Sequence, residues 1–127
     1  MNAIPQPLAA SATDAAVLSK AAVRAAKLLD LTQRDVSAAL GVSEATASRL
    51  FAGKYLLSPD HAKEWELARL FVRMFRSLDA LWGHEETART WLASDNLALS
   101  GRPKDLLRSV EGMVRVVTYL DAARGRL

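Results

Sequence analysis

The sequence predicts an all-α protein: an N-terminal bundle built around a helix-turn-helix, followed by a second, small helical domain. Three observations lead there. Apolar residues recur at three- and four-residue spacing along most of the chain, the period of an amphipathic helix. No segment alternates apolar and polar residues for long enough to form a sheet. The breaks between the periodic runs carry helix punctuation, with Ser or Thr at starts, Gly at stops and Pro at first positions.

The first ten residues, with Pro5 and Pro7, read as a frayed arm. Residues 14–29 are Ala-rich, and Val17, Leu18, Ala21, Ala25, Leu28 and Leu29 mark one helical face, with Ser11 or Thr13 available as a cap. Asp30 and Leu31 break the run. Thr32 is placed to cap a short helix over 33–40, and Gly41 stops it where a left-handed residue is wanted. Ser43 caps the next helix, 44–52, which Gly53 ends.

Ser58-Pro59-Asp60 reads as a helix start, with Ser at the cap, Pro at the first helical position and an acid in the first turn. It opens the longest helix, 59–82. The broad apolar face of that helix runs through Trp65, Ala68, Phe71, Val72, Phe75, Leu78 and Trp82, widened by Leu67, Leu70, Met74 and Leu81. Gly83 terminates it. Residues 84–93 form another helix, 96–101 a loop and 103–107 a short helix started by Pro103. A last helix covers 109–123 with Val110, Met113, Val114, Val117 and Leu120 inward. Gly112 is out of place there, because a mid-helix Gly costs about 1 kcal/mol relative to Ala. The expected compensation is close approach of another element, with the Trp91 ring as candidate. The pattern divides the chain into domains 1–57 and 58–127.

Composition narrows the function classes. Of the 127 residues, 50% are hydrophobic and 24% charged, so a buried core is expected. There is no Cys, which excludes a disulfide framework and a thiolate metal site, and His61 and His84 alone do not make a zinc site. No metal and no cofactor are called for. Neither His has a neighbouring nucleophile or base, and there is no glycine-rich phosphate loop, so an enzyme is not expected. The N-terminus lacks a basic stretch followed by an apolar one, and no run is long enough to span a bilayer; a cytoplasmic protein is the expectation. Net charge is +3, with six Lys/Arg against four Asp/Glu through Leu57 and eleven against ten beyond it. That balance allows nucleic-acid binding without demanding it.

A DNA-binding helix-turn-helix needs two short helices joined by a tight turn. Residues 32–50 fit: small Ser37 stands where the helices approach, Val36, Leu40, Val42, Ala47 and Leu50 face the core, and Gly41 takes the turn. The outward face of the second helix is then Ser43, Glu44, Ala45, Ser48 and Arg49. Arg49 can donate two hydrogen bonds to guanine, and Glu44 can accept from cytosine. Gln33, at a helix N-terminus, suits a phosphate contact, and Arg34, Lys54 and Tyr55 lie nearby. The same grammar also describes a tight helical corner that binds nothing. This segment resembles the Xre-type, phage-repressor-like helix-turn-helix, whose usual opening is L-T-Q-x-x-(V/L)-(A/S)-x-x-L-G-V-S.

The second half carries Trp91-Leu92, then Asn96-Leu-Ala-Leu-Ser-Gly101-Arg-Pro103-Lys-Asp105-Leu-Leu107, then Glu111-Gly112, Val116-Val117, Leu120 and Gly125. Trp91, Pro103 and Gly112 each have a purely architectural reading. As an ordered set they resemble the toxin-binding domain of Xre/MbcA/ParS antitoxins, with one residue fewer between Gly101 and Pro103. The resemblance covers residues 58–125. It implies an antitoxin of a type II toxin–antitoxin pair that binds a cognate RES-domain toxin. Such toxins use NAD, by degrading it or by ADP-ribosylating a protein. The antitoxin blocks the toxin's cleft with its C-terminal region, and its helix-turn-helix commonly represses the operon.

On that basis the toxin-binding candidates are Asp121, Arg124, Gly125, Arg126 and Leu127, with the tail as a plug. Arg124 and Arg126 are equally readable as solvated cations at a helix end. Arg69, Arg73 and Arg76 share one helical face that could meet an acidic toxin surface or DNA, or simply be solvated. A homodimer is expected, because palindromic operators match two-fold symmetry. The competing reading is a stand-alone helix-turn-helix regulator whose second half only dimerises.

Overall fold

In a computed structural model, residues 12–83 and 86–125 are described. Among them the chain forms seven helices: α1 (Ala12–Leu28), α2 (Gln33–Leu40), α3 (Glu44–Phe51), α4 (Ala62–Trp82), α5 (Glu86–Ala93), α6 (Pro103–Leu106) and α7 (Val110–Arg124). Apart from an isolated bridge between Asn96 and Gly101, no strand pairing occurs among these residues. None of these helices is long and apolar enough to cross a membrane.

Helix α4 is the spine, with α1 and α7 packed along it and α2 against it, while α3 packs on α2 and α1. One apolar cluster runs through the whole arrangement. It includes Ala22, Ala25 and Ala26 of α1, Val36 and Leu40 of α2, Phe71, Met74 and Leu78 of α4, Leu92 of α5 and Met113, Val116 and Leu120 of α7. The alanines of α1 let that helix lie close to its neighbours. Its end is made by Asp30 in a left-handed conformation (φ 58°), after which the Leu31 amide bonds the Ala26 carbonyl at 2.8 Å. Short polar residues such as Asp tolerate that conformation better than bulky ones.

Three expectations need correction. Helix α4 starts at Ala62, not Pro59. The Ser58 hydroxyl accepts from the Asp60 amide at 3.1 Å, and the Ser58 carbonyl from the His61 amide at 3.0 Å. This closes a local turn that uses up the capping group before the helix begins. In α7 the inward face is Met113, Val116, Val117 and Leu120, while Val110 and Val114 remain 47% and 45% exposed. Val17 of α1 is likewise exposed. Helical spacing is right in both cases, but α4 covers only one side of each helix, and the face it covers is rotated from the one expected.

The third correction concerns Gly112. A side chain there would meet the carbonyl, carbon and Cα of Leu106 at the end of α6, not the Trp91 ring. Trp91 instead stacks on Tyr119 of α7, centroids 5.9 Å apart. The expectations for the first ten residues and for a helix beginning at His84 lie outside the described residues.

Candidate functional site

The helix-turn-helix is built by local bonds. The Thr32 hydroxyl accepts from the Asp35 amide at 3.0 Å while the Asp35 carboxylate accepts from the Thr32 amide at 2.9 Å, a reciprocal capping box that fixes the start of α2. Gly41 ends α2 at φ 71°, ψ 33°, with its amide bonded to the Ser37 carbonyl. The Ser37 hydroxyl then donates to the Val42 carbonyl at 2.6 Å. Ser37 is therefore both the small residue at the crossing and the clasp of the turn. Ser43 caps α3 by accepting from the Thr46 amide at 3.0 Å. Val36, Leu40, Ala47 and Leu50 are buried beneath, with Val42 half-buried.

Ser43, Glu44, Ala45, Ser48 and Arg49 are exposed together on α3, and Gln33, Arg34 and Lys54 are exposed beside them. Arg34 and Glu44 face each other at 3.7 Å, both mostly exposed, so the candidate phosphate contact and the candidate cytosine acceptor pair with one another. The Arg49 guanidinium is 3.5 Å from the Thr46 hydroxyl. Tyr55, expected near these residues, is half-buried and turned to α4. Its hydroxyl donates to Glu64 Oε2 at 2.7 Å on α4. Burial, and then that hydrogen bond to Glu64, push its pKa up to about 12.

In the C-terminal half, the Asn96–Gly101 loop is a closed hairpin. Paired backbone bonds of 2.9 and 3.2 Å join Asn96 and Gly101, and the Asn96 side chain accepts from the Leu99 amide at 3.0 Å. Arg115 of α7 donates to the Leu99 carbonyl at 2.6 Å. Trp82, Trp91 and Tyr119 form an aromatic ladder, with 5.5 Å between the two indole centroids. The Ser109 hydroxyl caps α7 by accepting from the Gly112 amide at 3.0 Å.

Of the tail candidates, Asp121 is held by Arg73 at 2.5 Å and by the buried Ser77 hydroxyl at 3.0 Å. Arg124 donates to the same Ser77 oxygen at 3.2 Å. Arg124 and Gly125 are exposed at the end of α7. Arg126 and Leu127 lie outside the described residues. The Arg69–Arg73–Arg76 stripe is partly engaged, since Arg69 sits 3.4 Å from Glu66 and Arg73 is bound to Asp121.

Three features escaped the sequence reading. Lys20, Arg24 and Lys27, four and three residues apart, rim an apolar groove of about 570 Å³ floored by Val23, Leu28, Phe51 and Leu56; the spacing was visible, the groove was not. Leu97, at the hairpin tip, is 98% exposed. The third feature joins the two halves. The Asp35 carboxylate that caps α2 lies 3.7 Å from both Lys104 of α6 and Arg108 just after it.

Comparison with known families agrees with this geometry. Residues 8–73 match the antitoxin Xre-like helix-turn-helix domain. Residues 77–126 match the antitoxin Xre/MbcA/ParS C-terminal toxin-binding domain. No curated protein matches the chain. Both families are defined by binding and not by catalysis, in keeping with a surface built of clasps, caps and exposed side chains. A capped helix-turn-helix over one half of the chain, and a hairpin and aromatic ladder over the other, are thus the two parts of an antitoxin: the chain belongs to the Xre-like helix-turn-helix antitoxins and carries an Xre/MbcA/ParS toxin-binding domain.

Proposed function

We propose that this antitoxin neutralises a RES-domain toxin that uses NAD, either degrading it or transferring its ADP-ribose, and that the residues following α7 enter the toxin's cleft. The observation that carries the reading is the end of α7. Within a region matching a toxin-binding domain, the last described residues, Arg124 and Gly125, are exposed while Asp121 anchors the helix to α4. A cleft that accepts the NAD pyrophosphate carries fixed positive charge, and acids at the ribose give Arg124 and Arg126 something to pair with. Gly125 permits close approach and Leu127 supplies an apolar contact.

The helix-turn-helix acts as the regulatory arm. Arg49, Ser48, Ala45, Glu44 and Ser43 face the major groove, and Gln33, Arg34 and Lys54 face phosphates, repressing the chain's own operon as a cytoplasmic homodimer. On this reading the neighbouring open reading frame encodes a RES-domain protein, and co-expression with it tests the pairing: the two proteins co-purify and growth is rescued without an operator. Failure to co-purify sinks the reading. Deleting residues 124–127 abolishes inhibition if the tail is the plug; full inhibition by the truncated protein rules the plug out.

A further inference from the structure

A single exposed leucine on a protein surface needs no explanation. Leu97 differs in how it is held. The hairpin beneath it is closed by the Asn96–Gly101 backbone pair, and the Ser100 amide bonds the Leu97 carbonyl at 3.2 Å. The Asn96 side chain is folded back onto the Leu99 amide. Ser100, a non-glycine residue, takes φ 56° to make the turn. Below the tip, Leu99 is buried and Arg115 grips its carbonyl. Every backbone restraint thus converges on a loop whose foremost side chain is 98% exposed.

The surroundings fit a contact surface. Arg115 and Tyr119 stand one helical turn apart on α7, so the hairpin and the aromatic ladder lie along the same side of that helix. Trp82 and Trp91, with Glu86, Thr87 and Thr90, line an open cleft of about 520 Å³. Trp and Tyr are the residues in which binding hot spots are rich, and a loop whose backbone is already fixed loses little further freedom on contact. The hairpin and the cleft lie within the span that matches the toxin-binding domain.

We infer that Leu97 is an anchor residue for the toxin, entering an apolar socket on the toxin surface while the Trp82–Trp91 cleft covers the rim of the contact. This contact lies apart from the tail and supplies affinity and partner choice, where the tail supplies blockade. The inference rests on the proposed pairing with a toxin.

The test uses the full chain and the proposed RES-domain partner of the adjacent open reading frame, with binding measured by titration calorimetry for wild type, Leu97→Ala and Leu97→Asp. Leu97→Ala weakens binding about tenfold and Leu97→Asp about a hundredfold or more, since the second also places a charge in an apolar socket. Circular dichroism and melting temperature stay at wild-type values, since the side chain is solvent-exposed. If Leu97→Asp binds within about twofold of wild type, about 0.4 kcal/mol, the anchor is overturned and the pairing stands. If Leu97→Asp changes the oligomeric state by light scattering and leaves toxin affinity unchanged, the knob belongs to a second copy of the chain and the inference is overturned. If wild type itself fails to bind, the pairing falls and the anchor with it.

Discussion

Replacing Gly112 with Ala pits two opposed effects against each other. Gly112 is the third residue of α7, within its first turn, where helix propensity favours Ala by at most about 1 kcal/mol. The packing opposes it. The new methyl would overlap the Leu106 carbonyl, with the carbonyl carbon and Cα close behind, and these are backbone atoms. They cannot swing aside as a long side chain would. Leu106 lies between Pro103 and Leu107, both buried, and Leu107 belongs to the core cluster. Relief therefore requires moving the α6–α7 corner. Overpacking of this kind costs about 3 kcal/mol at the upper end of its usual range, leaving a net loss near 2 kcal/mol once propensity is subtracted. For a chain of this size that lowers the melting temperature by about 8 °C. Thermal unfolding followed by circular dichroism measures it. Gly125→Ala serves as control: its nearest backbone contact would be an ordinary 3.5 Å, and its φ of −64° suits any residue, so its melting temperature should stay within about 2 °C of wild type. A Gly112→Ala protein as stable as wild type would refute the close-approach argument.

Other outcomes follow from the same geometry. Ser37→Ala removes the clasp onto the Val42 carbonyl and should cost about 1 kcal/mol in urea unfolding, with m unchanged. Because the pKa of Tyr55 is raised from 10.0 to about 12, its proton is held more tightly in the folded state. Its contribution to stability is complete below the unfolded pKa near 10 and fades as pH rises toward about 12; ultraviolet titration should show one tyrosine ionising late, and Tyr55→Phe should abolish that component. On the chain's own promoter, Arg49→Ala should weaken the gel shift by about 1–3 kcal/mol and relax base preference, while Lys54→Gln should lower the salt slope by about 1 without changing preference.

The helix-turn-helix was legible because its signals are local. Thr32 and Ser43 accept from amides three residues on, and Gly41 donates to a carbonyl four residues back; those distances are written in the chain. Ser58 shows the limit of the same logic, since a hydroxyl that can cap a helix can equally close a turn two residues long. The spacing of Val110 and Val114 established a helix but not its rotation, which depends on where α4 lies. Gly112 signalled close approach, yet naming the approaching atom required the position of α6. At the candidate sites the outward face of α3 was readable from periodicity, whereas the Arg34–Glu44 pair, the hold of Ser77 on Asp121 and Arg124, and the exposure of Leu97 all arise from tertiary placement.

Asp35 bears on how far this protein can be treated as two interchangeable modules. One carboxylate closes the capping box of α2 and stands between Lys104 and Arg108 from the far end of the chain. The same apolar cluster continues from α1 and α2 into α5 and α7. A chimera that joins this helix-turn-helix to another toxin-binding half inherits the cap and loses both of its cationic neighbours and part of its core. The portable unit is therefore the whole chain: a transplanted half leaves behind contacts on which the other half depends.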